Sequence, residues 1–472
     1  VNIMRAWYAR GVAFAKQDAG MLALINLLLA TVAFGKDLLQ AAFFGTSAAA
    51  DALTLAFFIP DTLGNNLMAF AIGVACVPMF CKLLVQGETG RLRRVFLQLC
   101  VYAVLLSSLS CLLVFVLRDP VLQLLGSGMD ADVFALTRSL LNLLLPTMVL
   151  FPLCMIASGA LQAQGNFKVP ALGPVLFNTG FLLALVLLLI VKPEQEQGAW
   201  WTAIGIAAGV VGMTALLARA FFQSGGREWF SSAVWRGLWR EQDDLLRVVR
   251  TFAPFLLILF CSQFVYMVER HVASLLGSGT IAGLNYAFRL AQFPNWVFVA
   301  ALTTVLLPAM ARAVGERNPA QVRVALTRAI KITLLLTVPM SLVLYLGRVP
   351  IVALLLQHGS FDHESLRTTA DILAGYSLSI VPQALAAVGL RYYMAVERMR
   401  VPAVLGLLAM LVTIGCDLLG APKFGPAALG YGAAVGAWVN ALAILLLLNG
   451  DLQKQGRMGA PHESISHHHS GV

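Results

Sequence analysis

The feature that most narrows what this chain can fold into is a succession of apolar runs. Each is close to or above the roughly 20 residues that a helix needs to cross a bilayer. They fall at 20–45, 50–84, 95–118, 133–163, 169–192 and 199–222, then at 247–277, 279–313, 326–347, 368–394, 402–421 and 425–449. In hydrocarbon a segment must satisfy its own backbone groups, so twelve such runs predict an all-α integral membrane protein with about 12 transmembrane helices. Of the 472 residues, 59% are hydrophobic and 12% charged, about half the charged share usual in soluble domains.

The formal charge of +10 does not point to nucleic acid, because the basic residues lie mostly in short connections between apolar runs. They follow topology instead. With the N-terminus in the cytoplasm, the inner segments carry 24 Lys and Arg and the outer loops five: Arg118, Lys192, Arg348, Arg367 and Lys423. That bias places both termini inside. The basic start (Arg5, Arg10, Lys16) followed by an apolar run resembles a secretory signal, but eleven further spans favour an uncleaved first helix. The seven cysteines are scattered singly through apolar segments, as small packing residues are. His467, His468 and His469 sit in a polar tail and predict a disordered end rather than a metal site.

The chain also repeats itself. "GTSAAADALTLAFFIP" from Gly45 aligns with "GTIAGLNYAFRLAQFP" from Gly279 at an offset of 234, and "GNFKVPAL" at 165 with "ERMRVPAV" at 397 at an offset of 232. A six-helix unit occurring twice in the same orientation predicts two lobes, 1–222 and 247–450, around a central cavity, related by an axis along the membrane normal. The join, 223–246, is rich in Trp and Arg and reads either as a cytoplasmic interfacial helix or as a plain linker; 451–472 is a polar cytoplasmic tail.

Four basic residues fall within spans: Lys36, Arg138, Arg270 and Arg289. Arg138 lies about one turn into its helix and can snorkel. The 234 offset places Lys36 on Arg270 and Asp51 on Asn285, so each half has a cation in its first helix and a polar group early in its second. Lys36, Asp37, Asp51, Glu269, Arg270 and Arg289 are what a chain places around a water-filled cavity, and fixed cations there suit an anion such as a diphosphate, which arginine grips bidentately. Internal ion pairs are the alternative reading. Pro60, Pro78, Pro294 and Pro308 are expected to break the second helix of each half near both ends; in "PDTLGNNL", Asp61, Asn65 and Asn66 either face the substrate path or bond within the bundle. Asp417, with Thr413 one turn earlier, is a candidate Na⁺ or proton site, or a solvated carboxylate near the outer end. No nucleophile elbow, zinc-protease motif or phosphate loop occurs, so no enzyme and no cofactor is expected, and transport would draw on an ion gradient or the membrane potential.

Four segments carry a resemblance: "DLLQAAFFGTSAAADALTLAFFIPDTL" (37–63), "ASLLGSGTIAGLNYAFRLAQFP" (273–294), "VLLPAMAR" (305–312) and "LLLQHGSFD" (354–362). Over about 20–450 the chain resembles the MurJ (MviN) lipid II flippases of the multidrug/oligosaccharidyl-lipid/polysaccharide exporter superfamily. The resemblance implies a bacterial inner-membrane flippase moving an undecaprenyl-diphosphate-linked glycan precursor by alternating access, with the diphosphate in a cationic cavity. Lys36 matches a family arginine, Asp51 a family aspartate, and Arg289 the arginine of the "YA-x-RL" motif. The chain departs from the family in having Ala30 where an arginine is common, Gly64, Asn65 and Asn66 where the family has an arginine-rich patch, and no run matching two extra C-terminal helices.

The expectation is therefore a flippase for lipid II or a related exopolysaccharide, O-antigen or teichoic-acid precursor. Lys36, Arg270, Arg289, Asp51, Asn65, Asn66 and Asn285 would line its site, membrane lipids would surround it, and it would act as a monomer. A cation-coupled drug exporter would favour acidic cavity residues. A membrane scaffold recruiting a glycan synthase as partner would not need the cavity cations.

Overall fold

A peptide group in hydrocarbon has no water to bond to, and every element found among the described residues is helical. The computed structural model describes residues 2–238, 243–293, 319–396 and 398–458. Pro294, Pro308, all of "VLLPAMAR", residues 294–313 of the eighth predicted span and the C-terminal histidines lie outside them.

The first half comprises α1 (Asn2–Phe44), α2 (Ala48–Pro60), a π-helical segment (Asp61–Ala69), α3 (Phe70–Val85), α4 (Thr89–Val116), α5 (Arg118–Leu125), α6 (Ala131–Leu144), α7 (Thr147–Ala163), α8 (Lys168–Val191) and α9 (Gln195–Gln223). A 3-10 turn (Gly226–Phe230) and α10 (Ser232–Arg236) follow. The second half comprises α11 (Asp243–Leu275), α12 (280–293), α13 (Pro319–Leu346), α14 (Arg348–Leu356), α15 (His363–Ala395), α16 (Arg400–Phe424) and α17 (Ala427–Met458). Eleven stretches among the described residues are long and apolar enough to cross a membrane, and the chain is a multi-pass membrane protein. Large apolar side chains such as Leu109, Leu112, Leu335, Leu342, Leu419 and Leu446 are exposed, as a lipid-facing belt requires.

The repeat extends beyond the matched segments. In each half a long helix (α4, α13) is followed by a short one that starts at an Arg-x-Pro triplet (α5 from Arg118, α14 from Arg348), and both are absent from the twelve-run reading. Helix pairing repeats too: α1 packs on α8 and α8 on α9, as α11 packs on α16 and α16 on α17. Pro60 ends α2 where the backbone passes into the π segment, whereas Pro78 lies inside α3, which continues through it. The expected break at Pro78 is therefore corrected. Arg138 does not simply snorkel: its Nε pairs with Asp119 of α5 at 3.0 Å. The described part of the join packs against α4 and α9, with the Trp229 ring edge-on to Phe96 and Phe221, and Gln98 donates to the Leu238 carbonyl at 2.6 Å.

The two halves meet at one end of the bundle through two contacts related by the repeat. At the first, Ser360 N–H donates to the Ala42 carbonyl at 2.8 Å and the Thr46 and Ser365 hydroxyls lie 2.7 Å apart. At the second, His271 Nδ1 approaches the Leu124 carbonyl at 2.5 Å and Gly128 N–H donates to Ser274 Oγ at 3.4 Å. Backbones cross there with no room for a Cβ: one on Gly279, whose φ is +85°, would collide with the Thr46 carbonyl, and one on Gly128 with that of Ser274. Asp362 caps α15 by accepting from Ser365 N–H at 2.8 Å, and that bond holds its carboxyl below the usual range.

This end must part for the cavity to open on that side. In a Thr46→Cys, Ser365→Cys double variant, oxidation is expected to link the halves, seen as a gel shift absent from either single variant, and to arrest function until a reductant is added. Full function with the link formed would show that this end does not open.

Candidate substrate cavity

Lys36 and Gln40 are four residues apart on α1, so they share a face, and both are buried. That face looks into a cavity of about 510 Å³ walled by the π segment, α8, α11 and α12. Lys36, Arg270, Arg289, Asn65, Asn66 and Asn285 all line it. The sequence-predicted cations from both halves are thus brought to one space.

Their partners are few. Lys36 Nζ donates to Asp37 Oδ1 at 2.6 Å and lies 4.9 Å from the centre of the Phe181 ring. Arg289 Nε lies 3.4 Å from the same Asp37 oxygen but makes no hydrogen bond. One carboxylate oxygen therefore serves a cation from each half. The Arg270 guanidinium sits 3.8 Å from the centre of the Phe58 ring and donates through Nη1 to the Tyr266 carbonyl at 3.0 Å, leaving Nε without a partner. Aromatic faces and a backbone carbonyl stabilise these charges without neutralising them, and Nε of Arg270 and of Arg289 is left as an unused donor. Asp61, the one carboxylate among the described residues lining the cavity, is engaged by Asn65 Nδ2 at 3.0 Å and Asn66 Nδ2 at 3.1 Å.

A second recess of about 370 Å³ lies between α1 and α12 and reaches Asp37 and Arg289. Its walls are otherwise mostly apolar, with Leu29, Phe34, Leu38, Leu290 and Phe293.

Asp51 stands apart from the other candidates. It is buried where the halves meet, and its carboxylate accepts from Gly279 N–H at 2.6 Å and Ala282 N–H at 2.7 Å, capping α12 from the opposite half. The physical reason lies in the repeat. Ser47 caps α2 through its own side chain, but its counterpart at the start of α12 is Ile281, which has no side-chain oxygen to offer. Its expected place in the cavity is corrected to this inter-half cap.

Thr413 lines a separate cavity of about 200 Å³ in the second half, together with Glu269, Tyr376 and Asn440. Asp417, one turn further along α16, is fully buried with neither oxygen partnered, so the solvated alternative does not hold. Gly432 and Gly436 of α17 let it and Thr413 approach, since a Cβ on either glycine would strike their side-chain oxygens. Glu269 is also buried, with Oε1 unpartnered.

Sequence reasoning missed the amides Asn178, Gln263 and Gln292 on the cavity wall. A polar residue inside an apolar run was the available signal for each.

An all-helical bundle of two repeated halves, with cations from both converging on an inner chamber, defines a membrane transporter of the alternating-access class. Residues 40–461 match the family model described as lipid II flippase MurJ, and the chain belongs to that family. It is 27% identical over 439 residues to the lipid II flippase MurJ of Burkholderia cenocepacia, covering 91% of this chain and 82% of that one. It is also 27% identical over 423 residues to a probable lipid II flippase MurJ of Rhizobium meliloti, covering 88% and 77%. In fold it resembles a lipid II flippase MurJ solved in an inward closed conformation (TM-score 0.76, 20% identity, 93% and 90% covered). It likewise resembles an inward-facing multidrug resistance MATE transporter (TM-score 0.78, 15% identity, 92% and 96% covered). The family is one of transporters, and the chain is not an enzyme.

Removing the carboxylate shared by Lys36 and Arg289 leaves two partly desolvated cations facing each other. Asp37→Asn is therefore expected to destabilise the protein by about 1–3 kcal/mol, discounted from the fully buried case because Arg289 is a third exposed. Thermal unfolding in detergent at fixed salt measures it, and an unchanged transition would remove Asp37 from this role.

Proposed function

We propose that the chain flips a polyprenyl-diphosphate-linked glycan precursor, lipid II first among the candidates, across the bacterial inner membrane. The observation that carries this reading is the convergence of Lys36, Arg270 and Arg289 on one cavity with donors to spare. A diphosphate offers oxygens to all three, and two of the three are arginines able to form paired hydrogen bonds. The apolar recess between α1 and α12 touches the same Arg289 and gives the polyprenyl chain a path that keeps it in lipid while the headgroup occupies the cavity.

The distribution of Lys and Arg supports a cytoplasmic position for both termini and the α3–α4 connection, in which the sealed end faces outward and the cavity loads from the inner leaflet. Release then requires the seal to part, with Asp51 letting go of α12. We assign coupling to the buried carboxylates of the second half. Unpartnered oxygens on Asp417 and Glu269 fit either a Na⁺ ion or a proton, which would supply the charge those groups lack. The protein works as a monomer in this scheme, because the cavity is completed by one chain.

The fold is shared with multidrug exporters, which makes drug export the second reading. Three cations on the cavity wall oppose a cationic drug. A scaffold for a glycan synthase would tolerate loss of those cations.

In a strain depleted of its own flippase, Arg289→Ala is expected to abolish complementation at unchanged membrane levels. Asp417→Asn is expected to do the same while purified protein still binds undecaprenyl diphosphate. Normal growth on Arg289→Ala would contradict the transport reading, and normal growth on Asp417→Asn would contradict the coupling site.

A further inference from the structure

The π-helical segment arranges three polar side chains in a way a regular helix does not allow. In an α-helix residues five apart point about 140° away from each other, so one carboxylate cannot receive both the fourth and the fifth residue after it. Here Asn65 and Asn66 both donate to Asp61, one to each oxygen, because the wider turn lets them straddle it. The Phe70 N–H bond back to the Asn65 carbonyl, five residues earlier, marks that turn. The opposite side of the segment is pinned: Thr62 and Ala69 are buried, and a Cβ on Gly64 would stand 2.8 Å from the Met148 Cα of α7. The Asp–Asn–Asn face is thereby held toward the cavity.

We infer that Asp61, Asn65 and Asn66 form a subsite for the hydroxyl groups of the glycan, distinct from the cations that hold the diphosphate. This rests on the function proposed above and adds how the headgroup is read. The chemistry selects the ligand. A carboxylate repels phosphate but accepts from a hydroxyl, and each asparagine, having given one N–H to Asp61, keeps a second N–H and a carbonyl for a group that both donates and accepts. Sugar hydroxyls are such groups. The apolar faces of a pyranose ring also find a surface: Phe57, Phe151 and Phe177 line the same cavity, with Phe177 centred 6.2 Å from Phe57 and 6.1 Å from Phe151. The repeat supplies no second copy, because the positions matching Asn65 and Asn66 in the other half are Val299 and Ala300. The glycan is thus bound in one orientation, its sugar against the first half and its phosphates between both.

The test compares two probes on the purified full-length chain in detergent: undecaprenyl diphosphate without sugar, and lipid II. The unsubstituted protein is expected to bind lipid II about tenfold more tightly than the bare diphosphate, and Asn65→Ala with Asn66→Ala to remove that preference while leaving bare-diphosphate binding unchanged. Asp61→Asn, nearly isosteric, should lose the preference as well and serves if the double variant elutes as aggregate. Equal binding of the two probes by the unsubstituted protein, or equal weakening of both by the variants, would overturn the subsite while leaving the diphosphate reading intact. Failure of the unsubstituted protein to bind either probe would overturn both.

Discussion

A fixed positive charge within a bilayer must be met by an opposite charge, by polarisable groups or by water, and the architecture follows from how this chain meets three of them. Lys36 and Arg289 come from different halves and share one oxygen of Asp37, while Arg270 rests on the Phe58 ring and a backbone carbonyl. Full pairing would have closed the site. Partial pairing leaves the folded state tolerable and the cavity still receptive to an anion, because each unused donor gains more from a phosphate than from water.

The same shared carboxylate ties substrate binding to the relation between the halves. Asp37 connects α1 to α12 at the cavity, and Asp51 connects α2 to the N-terminus of α12 at the sealed end. Both interactions converge on one helix of the second half, which also carries Arg289. A ligand that draws Arg289 away from Asp37 therefore acts on an element whose other end is held by the seal. Movement of one half against the other needs such a link, since a ligand shifts a conformational balance only by binding its states differently.

Much of this architecture was legible in the sequence. Run lengths located the spans, and the 234-residue offset paired Lys36 with Arg270 before any contact was known. What escaped was whatever depends on contacts between distant segments. Asp51 looked like a cavity residue because it is acidic and sits in a span, whereas Ile281 replacing a capping serine was the clue to its true partner. Asp417 read either as an ion site or as a solvated carboxylate from its place near a helix end, and only its burial against Gly432 shows it to be sealed. The short helices α5 and α14 were absorbed into loops because eight or nine residues are too few to register as a span. The π turn left a trace in "PDTLGNNL", whose polarity inside an apolar run was visible although its hydrogen-bond register was not.

The central claim is that a lipid-linked diphosphate occupies the chamber between the halves, not a groove on the outside. A photoreactive phenylalanine analogue in place of Phe181, beside Lys36 in the cavity, tests this when irradiated in membranes loaded with radiolabelled undecaprenyl-diphosphate glycan. The account predicts a labelled adduct at that position and none with the same analogue at Leu109 on the lipid-facing belt. Labelling at Leu109 with none at Phe181 would place the substrate outside the bundle and contradict it.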